Sequence, residues 1–366
     1  MKAICRMSII LLFILFAQPI WAGVSIQKVQ GRCVGCNPPF KLSQFQFVTP
    51  LEGWATGFYI VASGGHVSQS SVVLHTVNGG KTWMPVPDIE TYGLDVEPVF
   101  SFINAQEGWI GWTTASEPMD HLIKTANGGH GWIRLAGSKP GLLAHLRFFD
   151  SHLGYAAIST MHGPQFGVTR DGGKTWSFRK ELQDAGLLYP DVMHFLNPQV
   201  GWIGGTKEEN SVLHPRLLRT ANGGVSWQQG TFPKSAIGDP WDIFFLNSDH
   251  GWIVLGNANP TALFHTTDGG LTWSEDTSWA IQGYNLFPRA IRYLSDKIGL
   301  VFVSERQPED ANSVEGKSNS SVLVTTDAGL SWSRHELTSE IQSCDVAKGE
   351  VWCTSGMDIL KIRVQP

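Results

Sequence analysis

The sequence predicts an all-β protein, a seven-bladed β-propeller of four-stranded antiparallel blades closed by pairing an N-terminal strand with the last blade. Three observations predict it. A glycine turn ending in tryptophan recurs six times, an aromatic/Gly-Trp motif alternates with it, and the two chain ends carry incomplete units that complement each other. Internal periods of this length mark arrays of one supersecondary unit. With 42% hydrophobic residues the chain can build a sizeable core, and 40 glycines suit many short strands joined by tight turns.

In chain order, the first element is a leader. Lys2 and Arg6 precede an uninterrupted apolar run from Met7 to Ala17, then Pro19 and the small residue Ala22. That charge order and length read as a secretory signal peptide over residues 1–22, leaving one β-propeller domain over 23–366. The product is expected to be exported, periplasmic or secreted. No later apolar run approaches about 20 residues, so no membrane span is expected in the mature chain. A net charge of −5 argues against a nucleic-acid partner.

Four cysteines follow the leader: Cys33, Cys36, Cys344 and Cys353. An even number in an exported chain suggests disulfides. A hairpin turning at Lys348-Gly349 sets Ala347 opposite Glu350, Val346 opposite Val351, Asp345 opposite Trp352, and Cys344 opposite Cys353. Counting outward makes the last a non-hydrogen-bonded pair, about 4.5 Å between Cα atoms, close enough to bridge. Cys33 and Cys36 are left to pair with each other or to stay reduced.

The turn motif reads Thr76 to Trp83, Thr125 to Trp132, Thr169 to Trp176, Thr220 to Trp227, Thr266 to Trp273 and Thr325 to Trp332. Its third residue is Asn78, Asn127, Asp171, Asn222, Asp268 or Asp327. A short polar side chain there can close the turn on backbone amides two residues on, and the glycines accept positive φ. Asn replaces Asp freely between repeats, so these are structural positions and neither catalytic nor metal-binding.

The alternating motif sets an aromatic residue seven positions before the second residue of a Gly-Trp dipeptide: Phe47 and Trp54, Phe102 and Trp109, Phe148 and Tyr155, Phe195 and Trp202, Phe245 and Trp252, Tyr293 and Leu300. Each unit then reads as four strands, A to D. Strand A ends at the aromatic, B starts at the Gly-Trp, C ends in the turn threonine and D follows the turn tryptophan. Six units leave a remainder. Strands near Gln342 to Ala347, Glu350 to Thr354 and Asp358 to Val364 lack a fourth partner, which Val24 to Gln30 can supply. About 344 residues shared among seven blades give about 49 each, close to the repeat spacing.

These turns resemble the Asp-box, or bacterial neuraminidase repeat, of sialidases, sortilin-type receptors and other propellers. The full unit is most similar to the photosystem II stability/assembly factor family. That resemblance covers roughly residues 40 to 360 and implies an exported, non-catalytic scaffold whose partner is a protein of a membrane or envelope complex. It also implies client binding through an arginine patch, for which Arg147, Arg289 and Arg292 are the nearest candidates. The Asp-box resemblance supplies the rival, a glycoside hydrolase with a glycan ligand.

Alternation of strand direction puts the uniform A–B and C–D turns on one face and the variable B–C and D–A connections on the other. Variable loops on a rigid scaffold are where binding resides. The irregular stretches there are Ala62 to Ser70, Ser116 to His121, Glu208 to Pro215 and Arg306 to Ser320. Strand A borders the central channel, and the residue before each aromatic is Gln46, Ser101, Arg147, His194, Phe244 or Arg292. Nearer the variable face lie His145, Asp191, Trp241, Asp242 and Arg289. This group is the candidate binding site at the channel mouth, against the plainer reading that it only solvates the wall. Asp191 and Asp242, on comparable positions of adjacent blades, are the one carboxylate pair a glycosidase would need. No nucleophile elbow, zinc-helix motif, phosphate loop or EF-hand occurs, so no metal or cofactor is expected.

Overall fold

The computed structural model describes residues 23–35, 40–63, 66–86, 97–112, 121–135, 141–256, 261–282, 286–305, 319–347 and 349–365. The leader assigned to residues 1–22 lies outside them.

The chain opens with β1 (Gly23–Val29) and β2 (Arg32–Cys33). Blade 1 comprises β3 (Phe40–Phe47), β4 (Gly53–Ser63), β5 (His66–Thr76) and β6 (Thr82–Pro85). Blade 2 holds β7 (Val99–Phe102), β8 (Gly108–Trp112), β9 (His121–Thr125) and β10 (Ile133–Leu135). In blade 3 come β11 (Leu142–Phe148), β12 (Gly154–Thr160), β13 (Gly163–Thr169) and β14 (Ser177–Arg179), followed by a one-turn helix α1 (Glu181–Asp184). Blade 4 is β15 (Pro190–Phe195), β16 (Gly201–Glu209), β17 (Val212–Thr220) and β18 (Gln228–Gln229). Blade 5 is β19 (Asp239–Phe245), β20 (Gly251–Gly256), β21 (Ala262–Thr266) and β22 (Ser274–Glu275). Blade 6 runs through β23 (Leu286–Tyr293), β24 (Gly299–Glu305), β25 (Asn319–Thr325) and β26 (Ser333–Leu337). The last blade has β27 (Ser343–Ala347), β28 (Glu350–Ser355) and β29 (Asp358–Gln365).

The expected seven four-stranded blades are present, and the ring closes as expected. β1 pairs antiparallel with β29, from Gly23 opposite Gln365 to Val29 opposite Ile359, and becomes the outer strand of blade 7. Closure removes two sheet edges at once. One strand was not anticipated: β2 adds to β6 in parallel as a fifth strand on blade 1. The chain leaves blade 7 through Gly31, where a Cβ would collide with the Met357 and Gly80 carbonyls, so only glycine fits that crossing.

The hairpin of blade 7 has the register read from sequence, with Cys344 opposite Cys353, and the two form a disulfide across a Cα separation of 4.1 Å. Cys33 ends β2, whereas Cys36 falls outside the described residues.

All six turns share the bonds of the threonine hydroxyl, and five add a bond from the Asx oxygen, with a correction to the expected chemistry. The threonine hydroxyl is the hub: Thr266 Oγ1 donates to Asp268 Oδ1 at 2.8 Å and accepts from the amides of Asp268 and Gly270 at 3.4 and 2.9 Å. The Asx oxygen reaches amides farther on than the two residues expected, as Thr272 N donates to Asp268 Oδ1 at 2.9 Å and Thr82 N to Asn78 Oδ1 at 2.8 Å. One acceptor oxygen suffices there, which is why Asn and Asp interchange. Where Asp stands, its second oxygen accepts a hydroxyl too, from Thr175, Thr272 or Ser331, at 2.6 Å each. Desolvation opposes these bonds, yet they hold Asp171 and Asp268 down at about 2.

The second motif is an inter-blade staple. Trp54 stacks on Phe102 of the next blade at 3.7 Å between ring centroids, Trp109 on Phe148 at 3.7 Å, Trp202 on Phe245 at 3.5 Å and Trp252 on Tyr293 at 3.8 Å. The indole N–H of Trp109 donates to Gly172 O at 2.9 Å and that of Trp202 to Gly269 O at 2.7 Å, both in the next blade's turn. The glycine before each indole lies under its own blade's aromatic ring; a Cβ at Gly251 would meet the Phe245 ring at 2.3 Å. Thus the seven-residue spacing couples one ring to a glycine of its own blade and an indole of the preceding blade. The main cores lie between blades for the same reason.

Candidate binding site at the channel mouth

The A strands line the channel and touch in succession, β7 with β11, β15 with β19, β19 with β23, β23 with β27 and β27 with β3. Their inner edges carry backbone groups with no sheet partner, and side chains of the preceding blade satisfy them. Gln46 grips both the N–H and C=O of Phe102 at 2.9 Å. Ser101 Oγ accepts from Phe148 N at 2.8 Å, and Arg292 Nε donates to Cys344 O at 3.1 Å. These polar residues therefore hold neighbouring blades together, a role beyond solvating the wall.

The ring has a seventh member that the sequence reading missed. Asp345 pairs with Trp352 as Arg147 pairs with Tyr155 and Arg292 with Leu300, so it occupies the same level. Desolvation raises the Asp345 carboxyl, opposed by Arg292 and Arg147. Burial, then the charges of Arg292 and Arg147, drive His194 down to about 4, so it stays neutral near pH 7. Arg147 is itself lowered by desolvation, against the attraction of Asp345. No aromatic marks the end of β27, which is why this register went unread.

Toward the variable face the A strands are bulged. The register slips between Leu143 and His145, Pro190 and Val192, Pro240 and Asp242, and Pro288 and Ala290. The extra residues on blades 4, 5 and 6 are Asp191, Trp241 and Arg289, three members of the expected site. A bulge re-aims the side chain it carries. A proline precedes each, five residues before the aromatic, and was a legible signal.

The strand register overturns the comparable placement of Asp191 and Asp242. Asp242 faces Val254 as Val192 faces Gly204, one step beyond the bulge, so Asp242 corresponds to Val192. Its carboxylate is engaged: Oδ2 accepts from Ile291 N at 2.9 Å and from Arg292 Nη1 at 2.5 Å. The residue acting on Asp191 is Asp239. Desolvation, then the Asp239 charge, raises Asp191 to about 7. His145 donates from Nε2 to Pro190 O at 3.0 Å, and burial lowers its pKa against hydrogen bonds to Pro190 and Asp191.

Trp241 and Arg289 come together. The Arg289 guanidinium lies 4.9 Å over the Trp241 ring, and its Nε donates to Ser304 Oγ at 3.0 Å. Trp241 is 38% exposed and lies against Gly256, where a Cβ would strike its ring. With Ser304, Ser320, Glu340 and Gln342 the pair lines a cleft of about 300 Å³. Exposed Leu142, Met161, Leu188, Tyr189, Val212 and Ile237 occupy B–C tips or D–A entries of blades 3 to 5, on the same face as Trp241.

Of the stretches read as irregular loops, two are mostly outside the described residues. The others are hairpin ends. β16 and β17 meet at Asn210-Ser211, both with positive φ, a two-residue turn matched to strand twist. β4 and β5 pair out to Ser63 opposite His66. Among the described residues no His/Cys/Asp/Glu group could hold a metal ion, and no helix is long and apolar enough to cross a membrane.

No protein-family model and no curated protein matches the chain. Among solved structures it is similar to YCF48 bound to D1 peptide, with TM-score 0.60, 15% identity, and 92% of this chain and 96% of that chain covered. YCF48 from Cyanidioschyzon merolae aligns with TM-score 0.58, 16% identity, and 92% and 98% covered. U3-55K aligns with TM-score 0.56, 10% identity, and 92% and 98% covered. At these identities the likeness is one of fold.

Proposed function

We propose that the protein is an exported, non-catalytic scaffold that holds a polypeptide partner on the variable face, in the assembly or stabilisation of a membrane or envelope protein complex. The observation that carries this reading is the Trp241–Arg289 pair, an exposed indole under a guanidinium in an open cleft. Indoles and guanidiniums are the side chains that dominate protein recognition. The apolar residues beside it on blades 3 to 5 extend the contact surface. A fold neighbour, YCF48, is bound to a D1 peptide, which supports a protein ligand here. Export rests on the leader-like residues 1–22.

The hydrolase alternative draws no support from the carboxylates, since Asp242 is occupied by Arg292 and the Ile291 amide. A bead-displayed library of extended peptides, run beside a glycan array with the full chain, tests the proposal. Peptides should be enriched, and Trp241→Ala should weaken them at least tenfold with an unchanged melting curve. Glycan selection, or glycan hydrolysis lost in Asp191→Asn, would overturn it.

A further inference from the structure

The six repeats provide an internal control, and blade 3 departs from it. The residue after the turn threonine is uncharged in the other five (Val77, Ala126, Ala221, Thr267, Thr326) but is Arg170 in blade 3. Three positions past the turn tryptophan the residue varies, with Val86 and Leu135 buried in blades 1 and 2 and Gly230, Asp276 and His335 in blades 4 to 6. Blade 3 has Arg179 there. A third cation, Lys174, stands within the same turn.

A groove lies between blades 3 and 4 beside these arginines. It measures about 310 Å³ and is lined by Arg170, Trp176, Ser177, Arg179 and Val225, among others, with no acidic residue. Arg179 Nη1 donates to the Gly224 and Val225 carbonyls at 3.3 Å each, which anchors the guanidinium and leaves other donors toward the groove. Asp171 is the nearest carboxylate in sequence, but its oxygens are taken by Thr169 and Thr175. Among the described residues no carboxylate forms an ion pair with Arg170, Lys174 or Arg179. A chain of net charge −5 has thus gathered uncompensated cations in one concavity.

We infer that this groove is a second binding site, separate from the mouth, for an extended polypeptide segment that carries Asp or Glu beside an apolar side chain. Two guanidiniums supply charge complementarity and paired donors for a carboxylate. The half-buried Trp176 ring and exposed Val225 offer an apolar wall, which a small inorganic anion would not use.

The probe is a synthetic decapeptide alternating Asp or Glu with Val and blocked at both ends, titrated by fluorescence anisotropy against the full chain. Its Asn/Gln counterpart and inorganic phosphate are the comparison ligands. The acidic peptide should bind, with affinity falling at least tenfold for Arg170→Glu and for Arg179→Leu, and unchanged for Trp241→Ala. Arg179→Leu restores the residue type of blade 2 and should fold at least as well as the parent, which separates lost binding from lost structure. Equal binding of the Asn/Gln peptide, full competition by phosphate at equal concentration, or undiminished binding to Arg170→Glu would overturn the inference.

Discussion

Asp171 and Asp268 on the turn face and Asp191 at the channel mouth are one residue type with opposite fates. The first two are held at about 2 by hydroxyl and amide donors that outweigh desolvation, whereas desolvation and the neighbouring Asp239 drive Asp191 to about 7. The difference lies in what surrounds each carboxyl. On the turn face the repeated Thr and Asx side chains are spent on groups of the turn itself, so only residues outside that motif, such as Arg170 and Arg179, can meet a ligand. At the mouth a bulge pushes one residue out of the ladder on each of blades 3 to 6 and re-aims its side chain. In such a ring, identical positions do structural work and divergent ones are open to recognition.

The largest effect that tests this division should come from the staple. Trp202 is fully buried, stacks on Phe245 at 3.5 Å and donates to Gly269 O. Trp202→Ala should cost about 3–5 kcal/mol by urea denaturation. Trp241→Ala, at the exposed mouth, should cost about 0.5 kcal/mol or less. Comparable losses would mean that the mouth is core after all. Next is the turn hub. Thr266→Val removes a hydroxyl serving Gly270 N and the Asp268 turn, and should cost about 1–3 kcal/mol, read in the same experiment.

How far the sequence disclosed each region follows the same division. Counting hairpin positions outward from Lys348-Gly349 located the Cys344–Cys353 bridge, because a two-residue turn fixes register. The repeated aromatics located six of the seven ring positions. Asp345 escaped because β27 ends without an aromatic, whereas the offset of Asp242 from Asp191 was legible, since Asp191 stands four residues before Phe195 and Asp242 three before Phe245. The staple was visible as a spacing but not as a contact, since a seven-residue interval within one blade does not reveal that its indole reaches into the next.

The smallest and most discriminating effects are in the pH dependence. Asp171 and Asp268 have depressed folded pKa values, so their stabilisation is present above about pH 4 and is lost as pH falls toward about 2. Asp191 runs the other way. Its folded pKa is raised, so its contribution is intact below about pH 4 and is lost as pH rises through about 7. Asp268→Asn should flatten the acid limb of the stability curve by lowering stability at pH 8 toward its acid value, and only modestly, because Asn78, Asn127 and Asn222 already serve in the same turn. Asp191→Asn should raise the urea midpoint at pH 8, leave pH 4 unchanged and remove the slope between them. An Asp191→Asn protein that lost stability at pH 8 would place that carboxylate among the structural groups, and with it the bulge would cease to mark the boundary between scaffold and site.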